Sequence, residues 1–213
     1  MANIFNEVDE DIRKERYQSL WNKYGKYVIS LIVLIILIFS FSQYFKQKNI
    51  TYNKELLDTY FSAAEKIEIN QYELATKSLE KVYNEKNKTL SAFSGFKLSE
   101  TLIQDNQQEK VLLFLEEMYN NKSLEQIYRE LALYKYILIN FENIQIKEIE
   151  DVTNSINTNK IILEPYFQEI FGIKLLTLGN FEKANSIFTE LSLDEKTPFD
   201  LKTRLEKLIQ IAS

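Results

Sequence analysis

GIKLLTLGNFEKANSIF, residues 172–188, decides how the chain folds. Its two halves are apolar at helical spacing. The pair Gly179-Asn180 between them is a short, Asn-containing polar break and reads as a turn. The second half reads Phe181-x-x-Ala184-x-x-x-Phe188, an apolar stripe along one side of a helix. Gly172 stands twelve positions before Ala184. Two antiparallel helices joined at the turn therefore approach where neither carries a bulky side chain, and a helical hairpin is the local expectation.

Working outward, the same pattern recurs. Tyr72-x-x-Ala75-x-x-x-Leu79, Gln108-x-x-Val111-x-x-x-Leu115 and Ile146-x-x-Ile149-x-x-x-Thr153 align with it, their middle positions separated by 36, 38 and 35 residues. Ala63 stands twelve before Ala75 as Gly172 does before Ala184, and Ser99 holds the small position of the second unit. Ile137 does not, so the third unit is degenerate. Short polar breaks at Asn70-Gln71, 84–88, Asp105-Asn106, Asn120-Asn121 and 154–159 separate the helical stretches. A constant period of this size predicts stacked helical hairpins, each burying its apolar face on its neighbour. Thr197-Pro198 then opens a last helix to Ile211, with Thr197 as cap and Pro198 in the first turn, covering the open edge of the stack.

Composition agrees with an all-α chain. Only 4 Gly and 2 Pro occur in 213 residues, too few for the turns of a sheet protein. With no His and no Cys, there is no imidazole- or thiolate-based nucleophile, no zinc cage and no disulfide. The four glycines are never clustered, which removes the glycine-rich phosphate loops. No cofactor and no small-molecule substrate are expected. A net charge of -5 disfavours nucleic acid as a partner. Acid pairs occur at Glu116-Glu117, at Glu65 with Glu68 and at Glu148 with Asp151, but 31 acidic residues on helices generate such pairs by chance. They read as solvated faces rather than as the carboxylates of an enzyme.

One stretch stands apart. Residues 27–45, YVISLIVLIILIFSFSQYF, are nineteen without a charge, thirteen of them Val, Ile, Leu or Phe. As a helix they reach about 28 Å, close to the thickness of a hydrocarbon core. Trp21, Tyr24 and Tyr27 before the run, and Tyr44 and Phe45 at its end, stand where aromatic side chains anchor a span at the two membrane surfaces. The exit is too bulky for a signal-peptide cleavage site. A retained single span is expected, dividing the chain into a tail (1–26), a transmembrane helix (27–45) and a soluble domain (46–213).

Five cations before the span, Arg13, Lys14, Arg16, Lys23 and Lys26, against three after it, Lys46, Lys48 and Lys54, place the N-terminus in the cytoplasm. The tail has two readings: an amphipathic helix, through Phe5, Val8 and Ile12, lying on the membrane or a partner, or a helical lead-in to the span. The reverse orientation, with the hairpins in the cytosol, is the competing topology.

The hairpin pattern resembles the tetratricopeptide repeat. Gly172, Gly179, Phe181, Ala184 and Phe188 match in order and spacing the family's small residue, turn glycine, aromatic, alanine and second aromatic, while Gln168 replaces its tryptophan and Pro198 comes two residues late. On this resemblance Ala63, Tyr72, Ala75 and Leu79 of the first unit, with the five residues just named, are the packing positions of a right-handed α-solenoid of about four hairpins plus a capping helix.

The tail with Trp21-x-x-Tyr24-Gly25, the span and about 165 residues of degenerate hairpins together resemble the ancillary SecYEG translocon subunit family of the YfgM type, in its alphaproteobacterial form. That resemblance implies a bacterial inner-membrane protein with a periplasmic repeat domain. It further implies partners in the SecYEG channel, a periplasmic chaperone or prolyl isomerase, and the lipid bilayer, with no catalytic residues. A repeat scaffold for envelope assembly or cell division is the alternative from the same features.

Overall fold

The computed structural model describes residues 2–156 and 161–213, with side chains described except at 2–19, 25, 28, 29, 32 and 152–156. All regular structure among the described residues is α-helical. Nine helices follow one another among the described residues: α1 (Ala2–Glu68), α2 (Tyr72–Tyr83), α3 (Lys88–Gln104), α4 (Gln108–Asn120), α5 (Gln126–Ile139), α6 (Ile146–Ile156), α7 (Glu164–Thr177), α8 (Phe181–Leu193) and α9 (Phe199–Ala212). The chain divides into two units, residues 1–55 and 56–213. The division falls ten residues beyond the expected start of the soluble domain.

In the first unit, the described side chains of the apolar run are exposed on every side, from 50% at Val33 to 67% at Phe41. Among the described residues no helix is long and apolar enough to cross a membrane. Val28, Ile29 and Ile32 of the 27–45 run lie outside the described side chains, as do Phe5, Val8 and Ile12 of the tail.

The second unit begins with the last turns of α1, Leu56–Glu68, and pairs helices through short turns. Three of these turns share one geometry. Asn70, Asn106 and Gly179 have φ of 59°, 57° and 76°, and each stands five residues before the aligned middle position, Ala75, Val111 or Ala184. In each, the amide of the following residue bonds back to a carbonyl five residues earlier: Gln71 to Lys66 at 2.8 Å, Gln107 to Leu102 at 2.9 Å and Asn180 to Leu175 at 2.9 Å. This left-handed stop satisfies the orphan carbonyls of the first helix and reverses the chain into the second. Asparagine accepts the conformation because its short polar side chain lowers the steric cost.

The third hairpin departs from the rule. Its turn runs through Asn140–Gln145, a break absent from those read in the sequence, and Ile144, five residues before Ile149, is buried rather than left-handed. The side chain of Thr153 lies outside those described, and of the break expected at 154–159, residues 154–156 instead continue α6 while 157–159 lie outside the described residues.

Neighbouring helices pack in chain order: α2 on α3, α3 on α4, α4 on α5, α5 on α6, α6 on α7, α7 on α8, and α9 on α8 and α7. Several polar links between hairpins span about one period, with separations of 32 to 35 residues. Contact at one period is what nearest-neighbour stacking requires, and the arrangement is consistent with an α-solenoid. The core is a run of buried side chains from Ala63 through Leu98, Leu115, Met118 and Leu133 to Ile170, followed by a second cluster of Leu175, Ala184, Phe188, Leu201, Leu205 and Ala212. Phe171 packs against both.

The final helix covers the end of the stack as expected, with Leu201 and Leu205 fully buried. Each such leucine contributes about 1.5–3 kcal/mol on burial. Its start differs from the sequence reading. Pro198 is the residue before the helix rather than in its first turn, and Thr197 is buried with its hydroxyl unbonded instead of capping. The cause is local. Thr197 is drawn into the preceding turn by its own amide, which donates to Asp194 O at 3.1 Å. That leaves the Pro198 carbonyl to accept the first helical bond, from Lys202 at 3.0 Å.

Candidate interaction surface

The expected packing residues fall into two groups. Ala63, Ala75, Leu79, Ala184 and Phe188 are fully buried, and Gly172 is buried beneath Phe188. A Cβ on Gly172 would stand 2.4 Å from Phe188 Cε1 and 2.8 Å from Cζ, so this glycine is needed for space. Gly179 is needed for its φ alone, since nothing lies within 4 Å of a Cβ there. Two aromatics do not pack as the repeat resemblance implies. Phe181, the first residue of α8, is 52% exposed, and half-buried Tyr72 turns its hydroxyl to Asn70 Oδ1 at 2.8 Å. Both open their helices beside the turn, where a first-turn side chain on this face looks outward.

A third close approach was missed by the sequence reading. Gly95 in α3 lies where a Cβ would meet Met118 Cε at 2.7 Å, Sδ at 2.9 Å and the Tyr83 ring at 3.1 Å. The available signal was a glycine inside a helical pattern, which costs about 1 kcal/mol relative to alanine and so asks for a packing reason.

Helices α5 and α7 are clasped at both ends. Near the start of α5, fully buried Glu130 accepts the amides of Ile162 at 3.0 Å and Leu163 at 2.7 Å, and Gln126 Nε2 at 2.7 Å. A carboxylate in this position satisfies amides leading into α7 and complements the positive end of its dipole. Towards the far end, Lys174 of α7 donates to Phe141 O at 2.7 Å and Glu142 O at 3.4 Å, with its ammonium 5.0 Å from the Phe141 ring. It closes the turn after α5. At the last joint, Arg204 of α9 holds Glu169 of α7 in a two-pronged ion pair of 2.8 and 2.9 Å. Bonding to this buried carboxylate, more than any loss from burial, raises the guanidinium above its ordinary value.

A row of partly exposed rings crosses α3, α5 and α7. Phe93 meets Tyr128 edge-on with centroids 6.1 Å apart, Lys135 lies 5.8 Å over Phe96, and Tyr134 meets Tyr166 at 6.2 Å. Phe93 is 51% exposed, and on the last turns of α1 Leu57 and Phe61 are exposed as well. Rings with a polar tip suit a surface that holds other polypeptides, since they offer large contact area at small entropic cost. Burial, reinforced by Glu169, raises the Tyr134 hydroxyl above its ordinary value. On α4 and α5, burial with help from Glu116 lifts the Tyr119 hydroxyl to about 12, and burial followed by Glu148 raises Tyr136.

In the first unit, the aromatics expected as membrane anchors are all exposed, from 48% at Tyr24 to 64% at Tyr27 and Tyr44. Lys23 lies 5.4 Å over Tyr24, and Lys26 5.3 Å over Tyr27. Phe45 packs on Phe41 at 5.3 Å and meets Tyr44 at 5.9 Å. The acid pairs stand mostly on open faces: Glu65, Glu68, Glu116, Glu117 and Asp151 are exposed and Glu148 half-buried. Among the described residues no group of His, Cys, Asp or Glu is gathered to hold a metal ion. No family model matches the chain, and no curated protein or solved structure is significantly similar to it.

Proposed function

We propose that this chain is a noncatalytic, single-pass membrane protein whose stacked hairpins form a tetratricopeptide-like, right-handed solenoid that holds other proteins beside the bilayer. The observation that carries the reading is the helical run Leu31–Phe45, whose described apolar side chains have no partner core around them. An exposed, uncharged and mostly apolar surface of this kind is stable in lipid and a liability in water. Flanking lysines and aromatics fit the boundary between the two.

The ring row on α3, α5 and α7 is the surface on which partners are held. Anchoring raises the effective concentration of that surface beside membrane machinery, so weak contacts suffice. The partners in this reading are the SecYEG translocon and a periplasmic chaperone or prolyl isomerase, in a bacterial inner membrane with the N-terminus cytoplasmic.

Two experiments on intact cells test it. Protease added to right-side-out spheroplasts should remove residues 56–213 without permeabilising the inner membrane; protection until permeabilisation contradicts the orientation. A photocrosslinker at Leu57 or Phe93 should capture Sec components or periplasmic folding factors. Capture of cell-wall or division enzymes alone would replace this reading with the envelope-assembly scaffold.

A further inference from the structure

A second surface, which shares no residue with the ring row, lies on the α7–α8 hairpin. Pro165, Ile187 and Leu191 floor a groove of about 390 Å³, and Glu164, Glu190 and Asp194 stand on its rim, with Gln168 and Lys196 completing the lining. The lining thus combines three exposed carboxylates and one cation with three half-buried apolar residues. The described ion pairs include none of these carboxylates, although Asp194 also accepts the Lys196 amide at 2.9 Å. Glu190 is shared with a shallow depression bordered by Leu193, which is 76% exposed. Residues 56–213 hold 18 Lys and Arg against 25 Asp and Glu, a net charge of -7, so the unit as a whole attracts cations.

We infer that this groove docks a basic amphipathic helix of a partner protein. The pairing is one of charge and shape. Aliphatic side chains one turn apart on the partner fill the floor formed by Ile187 and Leu191, while lysine or arginine on the flanks of that helix reaches Glu164, Glu190 and Asp194. Rim charges of opposite sign steer the encounter and fix its register, and the apolar floor holds the complex once formed. Leu193 extends the apolar contact beyond Glu190. The inference rests on the interaction-module reading but uses a different surface from the ring row, so either can fail alone.

The test uses the full chain in an uncharged detergent and a fluorescent eighteen-residue helical peptide. Leucine occupies one face of the peptide and lysine the other, with a glutamate-for-lysine counterpart and a protein-free micelle as controls. The lysine peptide should bind in a salt-sensitive manner and the glutamate peptide should not. Binding should weaken about tenfold or more for the triple variant E164Q/E190Q/D194N, because close charge pairs across an interface are worth at least that much. The same number of acids neutralised elsewhere, E80Q/E109Q/E117Q, should leave affinity within about twofold.

Equal losses in the two triple variants, or no binding above the micelle control, would overturn the inference. If circular dichroism shows that the groove variant has lost helix, the exposed single change Glu190→Lys replaces it and should weaken binding by a similar factor. Leu193→Ser should weaken it less, by about threefold. Photocrosslinks from Leu57 and Phe93 should be unchanged in all of these variants. Their loss would be a failure of the module, and their persistence without peptide binding a failure of the groove alone.

Discussion

Glu130→Ala is the substitution that most directly tests how the hairpins are held together. The carboxylate is fully buried and bonds the amides of Ile162 and Leu163, 32 and 33 residues away. A hydrogen bond to a charged acceptor is worth about 1.5–3 kcal/mol, so two give an upper figure of about 3–6 kcal/mol. Ile162 is 54% exposed, which allows water to replace part of what its amide loses. The shorter bond to the less exposed Leu163 dominates, and the expected loss is about 3 kcal/mol. Glu130→Gln keeps one carbonyl oxygen to accept a single amide and should lose about half as much. For a domain of this size, 3 kcal/mol corresponds to a fall in Tm of roughly 6–12 °C.

Urea and thermal unfolding of the full chain in detergent measure these differences. Hydrogen exchange locates them, and the first turn of α7 should lose protection before α2 and α3 do. An alanine variant within 1 kcal/mol of the parent would refute the clasp, as would a glutamine variant as damaging as alanine.

Three further outcomes follow from the geometry. Gly172→Ala gains helix propensity of about 1 kcal/mol but forces a Cβ onto the Phe188 ring, an overpacking cost of about 1–3 kcal/mol; a measured net gain in stability would show that Phe188 moves aside freely. Because the folded state holds the Tyr119 proton up to about 12 against 10.0 for the ordinary value, the native form binds more protons between those limits and stability must fall as pH rises through them. The expected loss is about 2–3 kcal/mol, and Tyr119→Phe should flatten the slope, with tyrosinate absorbance reporting the titration. Ile36→Arg in the apolar run should cost about 2.5–3.5 kcal/mol of membrane insertion, read as a shift of the chain from the carbonate-resistant to the extractable fraction. Unchanged fractionation would count against the span.

Much of the fold was legible because its rules are local. Helical spacing of apolar residues, the small residue twelve positions before each aligned alanine and the asparagine or glycine at each turn all operate within one hairpin. The left-handed turns at Asn70, Asn106 and Gly179 bear this out at the level of dihedral angles. The sequence reading noted the asparagines as breaks without placing them in one register, since asparagine is common throughout this chain and only glycine announces a positive φ. The third hairpin was degenerate on paper because Ile137 occupies the small position, and its turn is correspondingly different.

The surfaces were less legible. The ring row required knowing that α3, α5 and α7 lie side by side with Phe93, Tyr128, Tyr134 and Tyr166 in contact, and aromatic residues read the same in a core or on a face. The rim of the α7–α8 groove draws Glu164 together with Glu190 and Asp194, 26 and 30 residues further on.

The amino-acid order alone therefore determined the all-helical class, the hairpin period and the uncharged apolar run, because each depends on neighbours within a few turns of one helix. Tertiary structure decided that Glu130 and Lys174 bind backbone about one hairpin away, that Gly95 makes room for Met118, and that Arg204 fastens the final helix through Glu169. These contacts depend on the register in which successive hairpins stack. A side chain's spacing fixes the face of the helix it occupies, but only the packed neighbour fixes what stands opposite.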